Sequence, residues 1–369
     1  MKKGLIRLLY TGYLVTMLPL SLWWLWAAQT AVGRAIAVLG LIFTLLPYTL
    51  YQRHRHWNFP LIFTSIVIIT GIFAAAPDGQ SSSDSSVSHQ FTSLTIFPRY
   101  NFANLIPEEE QFNLGWRIMP FIDPLLTLQQ SRRAAVHALT LYDEMAQDPD
   151  FIRLGNVMGW AYDELLGRPF NFGHYYLYIP KNQSNRPLPA IVFLHGSAGN
   201  FKSYLWLWSK LAEQEGFAII APSFGFGNWR QEGGVSAVLN ALNHANTLTN
   251  LDPDRIYLAG LSNGGLGVSL TANAAPERFR GLIFISPVFA TEIVDRQPFL
   301  NTWQNKPILL VTGEQDKRIP IAYIRQQLTI WQEHNFSLTT ALYANEDHFL
   351  LFTQANSVLG DISHWLHEN

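Results

Sequence analysis

A serine, an aspartate and a histidine in the last third of the sequence are residue types that nucleophilic acyl transfer uses. Ser262 lies in the string Gly260-Leu261-Ser262-Asn263-Gly264, between an apolar run that predicts a strand and a segment that predicts a helix. A serine at such a turn has a strained backbone, so its neighbours two positions away on each side must be small. The turn exposes the hydroxyl, and Ser262 is therefore the candidate nucleophile.

The candidate acid and base follow two later strand-like segments. Asp316 comes shortly after the buried-strand pattern of Pro307–Thr312, and His348 comes after Leu338–Tyr343. Loops at the carboxyl ends of strands carry the ligand sites of parallel sheets, so we expect these side chains to meet there. Glu314 and Asp347 are the alternative acids. Asp347 adjoins the histidine, and because neighbouring side chains usually diverge we expect it to shape the loop.

Two backbone amides are candidates for binding a developing oxyanion. The strand pattern of Pro189–Leu194 runs into His195-Gly196-Ser197-Ala198-Gly199, whose small residues let main-chain N–H groups approach a substrate oxygen. The N–H of Ser197 is our first choice from this loop. The N–H of Asn263 is the second, since it lies at a predicted helix N-terminus where unpaired amides and the helix dipole favour negative charge.

These motifs resemble the α/β-hydrolase superfamily from about residue 171 to residue 369. The resemblance lies in the His-Gly loop, the elbow around Ser262, the Asp316 loop with its Ile319-Pro320, the Asp347-His348-Phe349 string and the order serine, aspartate, histidine. The motifs are most similar to the branch that contains polyhydroxybutyrate depolymerase-like esterases, dienelactone hydrolases and prolyl oligopeptidase-like peptidases.

The resemblance implies a mechanism for these residues. In this superfamily the serine attacks an acyl carbon, the histidine takes and returns the proton, and the acid orients the imidazole; the matching residues are Ser262, His348 and Asp316. Water then releases the acyl group, and no metal or organic cofactor is implied. The resemblance also implies a structural role for His195.

The expected activity is that of a serine esterase acting on a small-molecule ester or acyl substrate. A peptide substrate is less favoured, because prolyl oligopeptidase-like specificity usually depends on a propeller domain, and the region before residue 171 is too short and too helical to supply one. The alternatives are a prolyl oligopeptidase-like peptidase and a non-catalytic, membrane-anchored binding protein built on a hydrolase scaffold.

Residues 171–369 predict an α/β fold, the α/β-hydrolase fold, with a mostly parallel sheet flanked by helices. Apolar runs predict strands at Tyr175–Ile179, Ala190–Leu194, Ala218–Ala221, Ile256–Ala259, Leu282–Ile285, Ile308–Thr312 and Leu338–Tyr343. Segments between them predict helices at about Ser203–Glu215, Val235–Leu248, Gly264–Ala274, Ile321–Glu333 and Leu350–His367.

An N-terminal transmembrane region precedes this domain. The stretches Leu8–Gly33, Ala35–Gln52 and Trp57–Pro77 carry no charge and are separated by Arg34 and the Arg53-His54-Arg55 run. Each is long enough to cross the hydrocarbon core, which requires roughly 17 to 25 residues of helix. Basic residues before the first helix and between the second and third predict that these ends face the cytoplasm. We therefore expect a multi-pass cell-membrane protein, in contact with the lipid bilayer, whose catalytic domain is periplasmic or extracellular.

The sequence thus divides into four predicted regions. Residues 1–77 hold three transmembrane helices, and residues 78–98 form a serine-rich, flexible linker. Residues 99–170 show helical spacing and predict two or three helices that either form a lid or pack beside the sheet. Residues 171–369 form the catalytic domain.

Composition excludes two other classes of function. The net charge is -2 and no basic stripe lies outside the membrane flanks, so we expect no nucleic-acid partner. The sequence has no cysteine and no H-E-x-x-H motif, so we expect no metal site. The absence of thiols also suits a domain outside the cytoplasm.

Overall fold

The computed structural model describes residues 2–51, 55–82, 84–93, 96–169, 172–181 and 186–369. These residues form two compact units. The N-terminal unit comprises Met1–Pro77 and Pro98–Ala135, and the α/β unit comprises Asp78–Phe97 and Val136–Asn369. Arg53 and His54, on which part of the predicted membrane orientation rests, lie outside the described residues, as does the predicted domain boundary at residues 170 and 171.

Three apolar helices open the N-terminal unit, as the uncharged stretches predict. They are α1 (Lys2–Ala27), α2 (Ala31–Tyr51) and α3 (Arg55–Ala75). Each contains a segment long and apolar enough to cross a membrane, namely Leu8–Ala27, Ala31–Leu50 and His56–Ala75. Many of their large apolar side chains are exposed, which suits helices whose outer surfaces meet lipid rather than water.

The connection between the first two helices differs from the predicted one. The chain leaves the helical conformation at residues 28–30, so Arg34 lies in the first turn of α2 and not between two helices. The side chain of Thr30 accounts for this start, because its Oγ1 accepts a hydrogen bond from the N–H of Gly33 at 2.9 Å. Such a cap satisfies one of the amides that the first turn of a helix leaves unpaired.

A residue of the segment 98–135 binds the connection between α1 and α2. The segment forms α4 (Phe102–Leu105), α5 (Glu108–Ile122) and the start of α6 (Leu128–Met145). Oε2 of the buried Glu110 accepts hydrogen bonds from the backbone N–H of Gln29 at 3.1 Å and from both the N–H and the Oγ1 of Thr30 at 3.0 Å. We call this set of bonds the Glu110 clasp. It sets a carboxylate at the N-terminus of α2, where the helix dipole favours negative charge.

The α/β unit is built on an eight-stranded sheet. Its strands are β1 (Val87–Phe91), β2 (His174–Tyr178), β3 (Leu188–Leu194), β4 (Ala218–Pro222), β5 (Leu251–Leu261), β6 (Gly281–Ile285), β7 (Ile308–Gly313) and β8 (Leu338–Tyr343). Their order is β1-β2-β4-β3-β5-β6-β7-β8. Strand β2 runs antiparallel to both neighbours and the remaining pairs are parallel. All seven predicted strands are present.

The prediction of a flexible linker over residues 78–98 is wrong. Within it, β1 pairs antiparallel with β2, from Val87 opposite Tyr178 to Phe91 opposite His174. The start of the segment is also bound, because the N–H of Gly79 donates to the carbonyl of Arg153 at 2.9 Å. A strand of five residues with two apolar side chains gives little periodic signal, so its pairing is set by the edge that β2 offers.

Helices cover the sheet and mostly follow the predicted pattern. They are α7 (Pro149–Leu154), α8 (Met158–Leu165), α9 (Lys202–Glu215), α10 (Gly234–Leu248), α11 (Gly264–Ala274), α12 (Thr291–Val294), α13 (Gln297–Trp303), α14 (Ile321–Glu333), α15 (Leu350–Thr353) and α16 (Ala355–Glu368). The last predicted helix is interrupted at Gln354, and α12 and α13 were not predicted.

The predicted helical segment 99–170 is not a single region. Its described residues hold the five helices α4 to α8 instead of two or three, and they divide between the two units at Ala135. Helical periodicity reveals that a segment is helical, but it does not reveal which neighbour buries the apolar face.

The central strands position the site because they are buried on both faces. Every residue of β3, β6 and β7 is buried, and so are the last six residues of β5. Parallel strands covered by helices on each side are nearly continuous apolar runs, as these are. Packing on both faces fixes these strands, so the loops that follow their carboxyl ends begin at well-defined positions.

Candidate active site

Ser262 occupies a strained turn between β5 and α11. Its φ is 53°, in the left-handed region that residues other than glycine seldom adopt. Three backbone hydrogen bonds hold it there. The N–H of Ser262 donates to the carbonyl of Ile285, and its own carbonyl accepts from Gly265 and Val288, each at 2.9 Å.

The glycines around the serine are required by space. A Cβ on Gly260 would lie 2.5 Å from the carbonyl oxygen of Gly264, and one on Gly264 would overlap the carbonyl oxygen of Leu194. A Cβ on Gly265 would lie 2.7 Å from Pro287. The turn predicted from the sequence therefore has the tight packing that its small residues imply.

Ser262, His348 and Asp316 form one hydrogen-bonded line. Nε2 of His348 lies 3.0 Å from Oγ of Ser262, and Nδ1 lies 2.7 Å from Oδ2 of Asp316. The Asp316 side chain is fully buried and that of His348 is 13% exposed. The three residues follow β5, β7 and β8 at the carboxyl edge of the sheet.

The second oxygen of Asp316 is also bonded. Oδ1 accepts from the N–H of Arg318 at 2.8 Å and from the N–H of Ile319 at 2.9 Å. Two hydrogen bonds from backbone amides to one oxygen fix the orientation of a carboxylate. Asp316 can therefore direct its other oxygen at the imidazole.

The two alternative acids have other partners. Glu314 pairs with Arg325, at 2.7 Å from Nη2. Oδ1 of Asp347 accepts from the N–H of Phe349 at 2.9 Å, which closes the local turn as its position beside His348 predicts. Of the three carboxylates, Asp316 is the one bonded to the imidazole.

The two residues that carry the candidate oxyanion donors, Ser197 and Asn263, are bonded to each other. Among the described residues, neither the N–H of Ser197 nor that of Asn263 donates a hydrogen bond. Nδ2 of Asn263 donates to Oγ of Ser197 at 2.8 Å, which ties the elbow to the loop after β3. A Cβ on Gly196 would lie 3.2 Å from Cβ of Ser262, so this loop passes directly beside the serine.

Residues 191–358 match the alpha/beta hydrolase family. This part of the chain belongs to that family. It contains the serine, aspartate and histidine as well as both amides, and its sheet has the mostly parallel architecture described above.

Two curated proteins resemble the hydrolase in sequence. An esterase of Mycobacterium tuberculosis is 28% identical over 128 residues, which are 35% of this chain and 42% of that protein. Dipeptidyl-peptidase 5 of Porphyromonas gingivalis is 24% identical over 51% of this chain and 35% of its own length. The chain thus spans less than half the length of these relatives.

Solved structures also resemble the hydrolase. A thermostable esterase has a TM-score of 0.45 and 22% identity, over 53% of this chain and 58% of that chain. Est1E from Butyrivibrio proteoclasticus has a TM-score of 0.43 and 19% identity, over 53% of this chain and 93% of that chain.

His195 fixes the loop of residues 195–199, which we call the oxyanion loop because it carries the candidate donor Ser197. Its Nδ1 donates to the carbonyl of Gly196 at 2.8 Å, so Nε2 is free to accept from the N–H of Phe224 at 3.1 Å. Its carbonyl accepts from the indole N–H of Trp229 at 2.9 Å. Burial lowers the pKa of His195 to about 4, which keeps the ring neutral and preserves the acceptor at Nε2. These are the contacts of a structural residue.

A second buried histidine network supports the same loop, and the sequence reasoning missed it. Nδ1 of His89 lies 2.8 Å from Nε2 of His174, whose Nδ1 lies 2.9 Å from Oγ of Ser223. That hydroxyl also accepts from Nδ2 of Asn200 at 3.0 Å, and Asn200 directly follows Gly199 of the oxyanion loop. Burial lowers the pKa of both histidines well below the usual value. No sequence pattern points to His89, because the five residues of β1 give little periodic signal.

Helix α8 borders the oxyanion loop from the other side. A Cβ on Gly199, whose φ is +118°, would lie 3.0 Å from Sδ of Met158 and 3.1 Å from Cβ of Ala161. Oε2 of Glu164 accepts from the N–H of Phe226, in the loop after β4. This part of the predicted lid-or-flank segment therefore packs against the loops of the site.

The glycine packing at the elbow makes a first prediction. Gly264→Ala is expected to lower the free energy of unfolding by about 1–3 kcal/mol, because the added methyl overlaps buried backbone. Gly360→Ala is the matched control, since Gly360 is exposed in α16 with open space around it. That change is expected to be neutral or to stabilise the helix by up to about 1 kcal/mol. Thermal unfolding of the full chain in detergent micelles measures both, and equal midpoints would contradict the packing argument.

Proposed function

We propose that this hydrolase is a membrane-anchored serine esterase that cleaves carboxylic esters through an acyl-enzyme on Ser262. The observation that carries the proposal is the line of hydrogen bonds from Asp316 through His348 to Ser262, at 2.7 and 3.0 Å. A nucleophile, a base within hydrogen-bond reach and a third group that orients the base are the parts that such catalysis needs.

The proposed reaction has two halves. As Oγ of Ser262 attacks the ester carbonyl carbon, Nε2 of His348 takes the hydroxyl proton, and the Asp316 carboxylate stabilises the imidazolium. The amides of Ser197 and Asn263 donate to the oxyanion of the tetrahedral intermediate. His348 then protonates the leaving alkoxide. Water, activated by the same imidazole, releases the acid and restores the serine. The reaction needs no metal or organic cofactor.

The lack of a propeller domain among the described residues favours an ester substrate over a peptide. The strands of the described residues all belong to the one eight-stranded sheet, and no propeller stands beside it in that part of the chain. One curated relative is named an esterase and the other a dipeptidyl-peptidase, so a peptidase remains the second candidate. The hydrogen-bonded line of three reactive side chains argues against a purely binding role.

The N-terminal unit is the basis of the proposed membrane placement. Three crossings require that the α1–α2 connection and the chain after α3 lie on the same side of the bilayer. The Glu110 clasp supports this, since it bonds Gln29 and Thr30 to a residue that follows α3. Basic residues near the N-terminus favour a cytoplasmic start. We therefore propose that the hydrolase lies on the periplasmic or extracellular side, where its partners are the bilayer and an ester substrate.

The nucleophile is tested with Ser262→Ala. Loss of the hydroxyl removes acyl-enzyme formation, so hydrolysis of p-nitrophenyl butyrate should fall by a factor on the order of 10³ or more. Labelling by a fluorophosphonate probe should also disappear. Ser357→Ala, at an exposed serine of α16, should change neither. Full labelling of the Ser262→Ala protein would disprove the assignment. Faster cleavage of a dipeptidyl p-nitroanilide than of the ester by the unaltered protein would select the peptidase.

The acid is tested by comparing three isosteric changes. Asp316→Asn should lower kcat on the order of 10³-fold, because the amide no longer stabilises the imidazolium. Glu314→Gln and Asp347→Asn are the matched controls, with losses of about threefold or less, since their carboxylates bond Arg325 and Phe349 instead. Steady-state kinetics on one ester measures all three. A larger loss in either control would move the role to that residue.

Reporter fusions test the orientation. Alkaline phosphatase folds to its active form only outside the cytoplasm, so fusion after Ser86 should be active and fusion after Arg53 inactive. A reporter that works only in the cytoplasm should give the reverse pattern. Cytoplasmic activity at Ser86 would mean an even number of crossings and would put the hydrolase inside the cell.

A further inference from the structure

The end of α5 and the turn after it expose an unusually apolar surface. Phe121 is 78% exposed and Ile122 is 68% exposed. Both belong to the N-terminal unit, whose helices α1, α2 and α3 are proposed to contact lipid. The exposed large apolar residues of this stretch are Ile118, Met119, Phe121, Ile122, Leu125 and Leu128. Contiguous patches of this kind mark surfaces that meet a protein or a membrane. We call residues 118–128 the apolar segment.

Contacts along α5 show where the apolar segment begins. Glu110 bonds Thr30 at the start of α2, and Nδ2 of Asn113 donates to the carbonyl of Ala27 at the end of α1. One turn later, Cζ of Arg117 lies 5.3 Å from the ring centre of Trp26, also in α1. The helix thus passes from α2 across the end of α1. The apolar segment follows the Arg117 contact along the chain.

The residues before α5 are bonded to the chain just after α3. Nε of Arg99 donates to the carbonyl of Ala76, and Nδ2 of Asn104 donates to the carbonyl of Pro77, each at 3.2 Å. Both acceptors lie at the end of α3. Residues 99–117 therefore bridge the ends of all three apolar helices, on the side where α1 and α3 end.

Charge around the apolar segment suits a lipid surface. Residues 117–133 carry three arginines, at positions 117, 132 and 133, against the single acid Asp123. Trp26 is 75% exposed beside Arg117, and tryptophan at the end of a spanning helix is typical of the headgroup region. Apolar side chains with flanking arginines are the composition of helices that lie in a membrane interface.

We propose that the apolar segment is an interfacial lipid-binding element. Its apolar side chains enter the boundary between headgroups and acyl chains of the leaflet in which α1 and α3 end, and the arginines lie near lipid phosphates. The proposal rests on the membrane placement proposed above. The segment ends where α6 begins, at Leu128, and lies wholly within the N-terminal unit.

The absence of cysteine in the sequence allows a direct test on the full chain. Phe121→Cys and Ile122→Cys proteins are labelled with an environment-sensitive nitrobenzoxadiazole dye and reconstituted in phosphatidylethanolamine–phosphatidylglycerol vesicles. Leu20→Cys in α1 marks the lipid, and Asp254→Cys, at an exposed position of the hydrolase, marks water. We expect quenching by nitroxide-labelled lipid at 121 and 122, and iodide quenching on the order of threefold weaker than at 254.

The outcomes separate this proposal from the anchoring on which it rests. Iodide access at 121 and 122 equal to that at 254, with lipid quenching at 20, would overturn the lipid-binding element and leave the anchor. Water access at position 20 would overturn both. Protection from iodide without lipid quenching would mean that a protein or a second copy covers the patch. Glu110→Ala should raise iodide access at 121 by releasing α5, whereas Glu109→Ala, at a partly exposed neighbour, should not.

Discussion

The positive φ of Ser262 is the constraint around which the hydrolase unit is arranged. A residue with a side chain in this conformation costs on the order of 1–3 kcal/mol, so it persists only where its surroundings determine it. Here β5 ends at the serine, the carbonyl of Ile285 at the end of β6 binds its N–H, and Gly264 allows α11 to start against the carbonyl of Leu194. Two buried strands and one helix therefore meet at this turn, and the hydroxyl projects from their junction.

Buried polar groups hold the loops that face the serine. His195 bonds the loops after β3 and β4, and the network of His89, His174, Ser223 and Asn200 links β1 and β2 to the end of the oxyanion loop. Burial keeps the pKa of these histidines low, so they act as neutral donors and acceptors. A neutral network avoids the cost of a buried charge.

In the N-terminal unit a carboxylate at the start of a helix, rather than a neutral histidine network, makes the buried polar contacts. Glu110 is buried, yet three donors at the start of α2 surround its Oε2. A Cβ on Gly33 would overlap that carboxylate, so glycine at this position leaves room for the clasp. The clasp bonds the first turn of α5 to the start of α2.

The sequence alone determined the parts that depend on local pattern. Apolar runs predicted seven strands because buried parallel strands need them, and the small residues around Ser262 predicted the turn because a strained backbone permits nothing larger. Uncharged stretches predicted α1, α2 and α3 because a helix without a polar face does not suit water.

Tertiary structure decided what depends on partners distant in the chain. Strand β1 exists because β2 offers an unpaired edge, and α2 begins before Arg34 where Thr30 caps it and Glu110 binds its amides from 80 residues away. The choice of Asp316 over Glu314 is of the same kind. Both carboxylates follow β7, and only the packing of the loop turns one toward His348 and leaves the other with Arg325. Local sequence carries the propensity of a segment, whereas the partner that satisfies its hydrogen bonds is set by the whole fold.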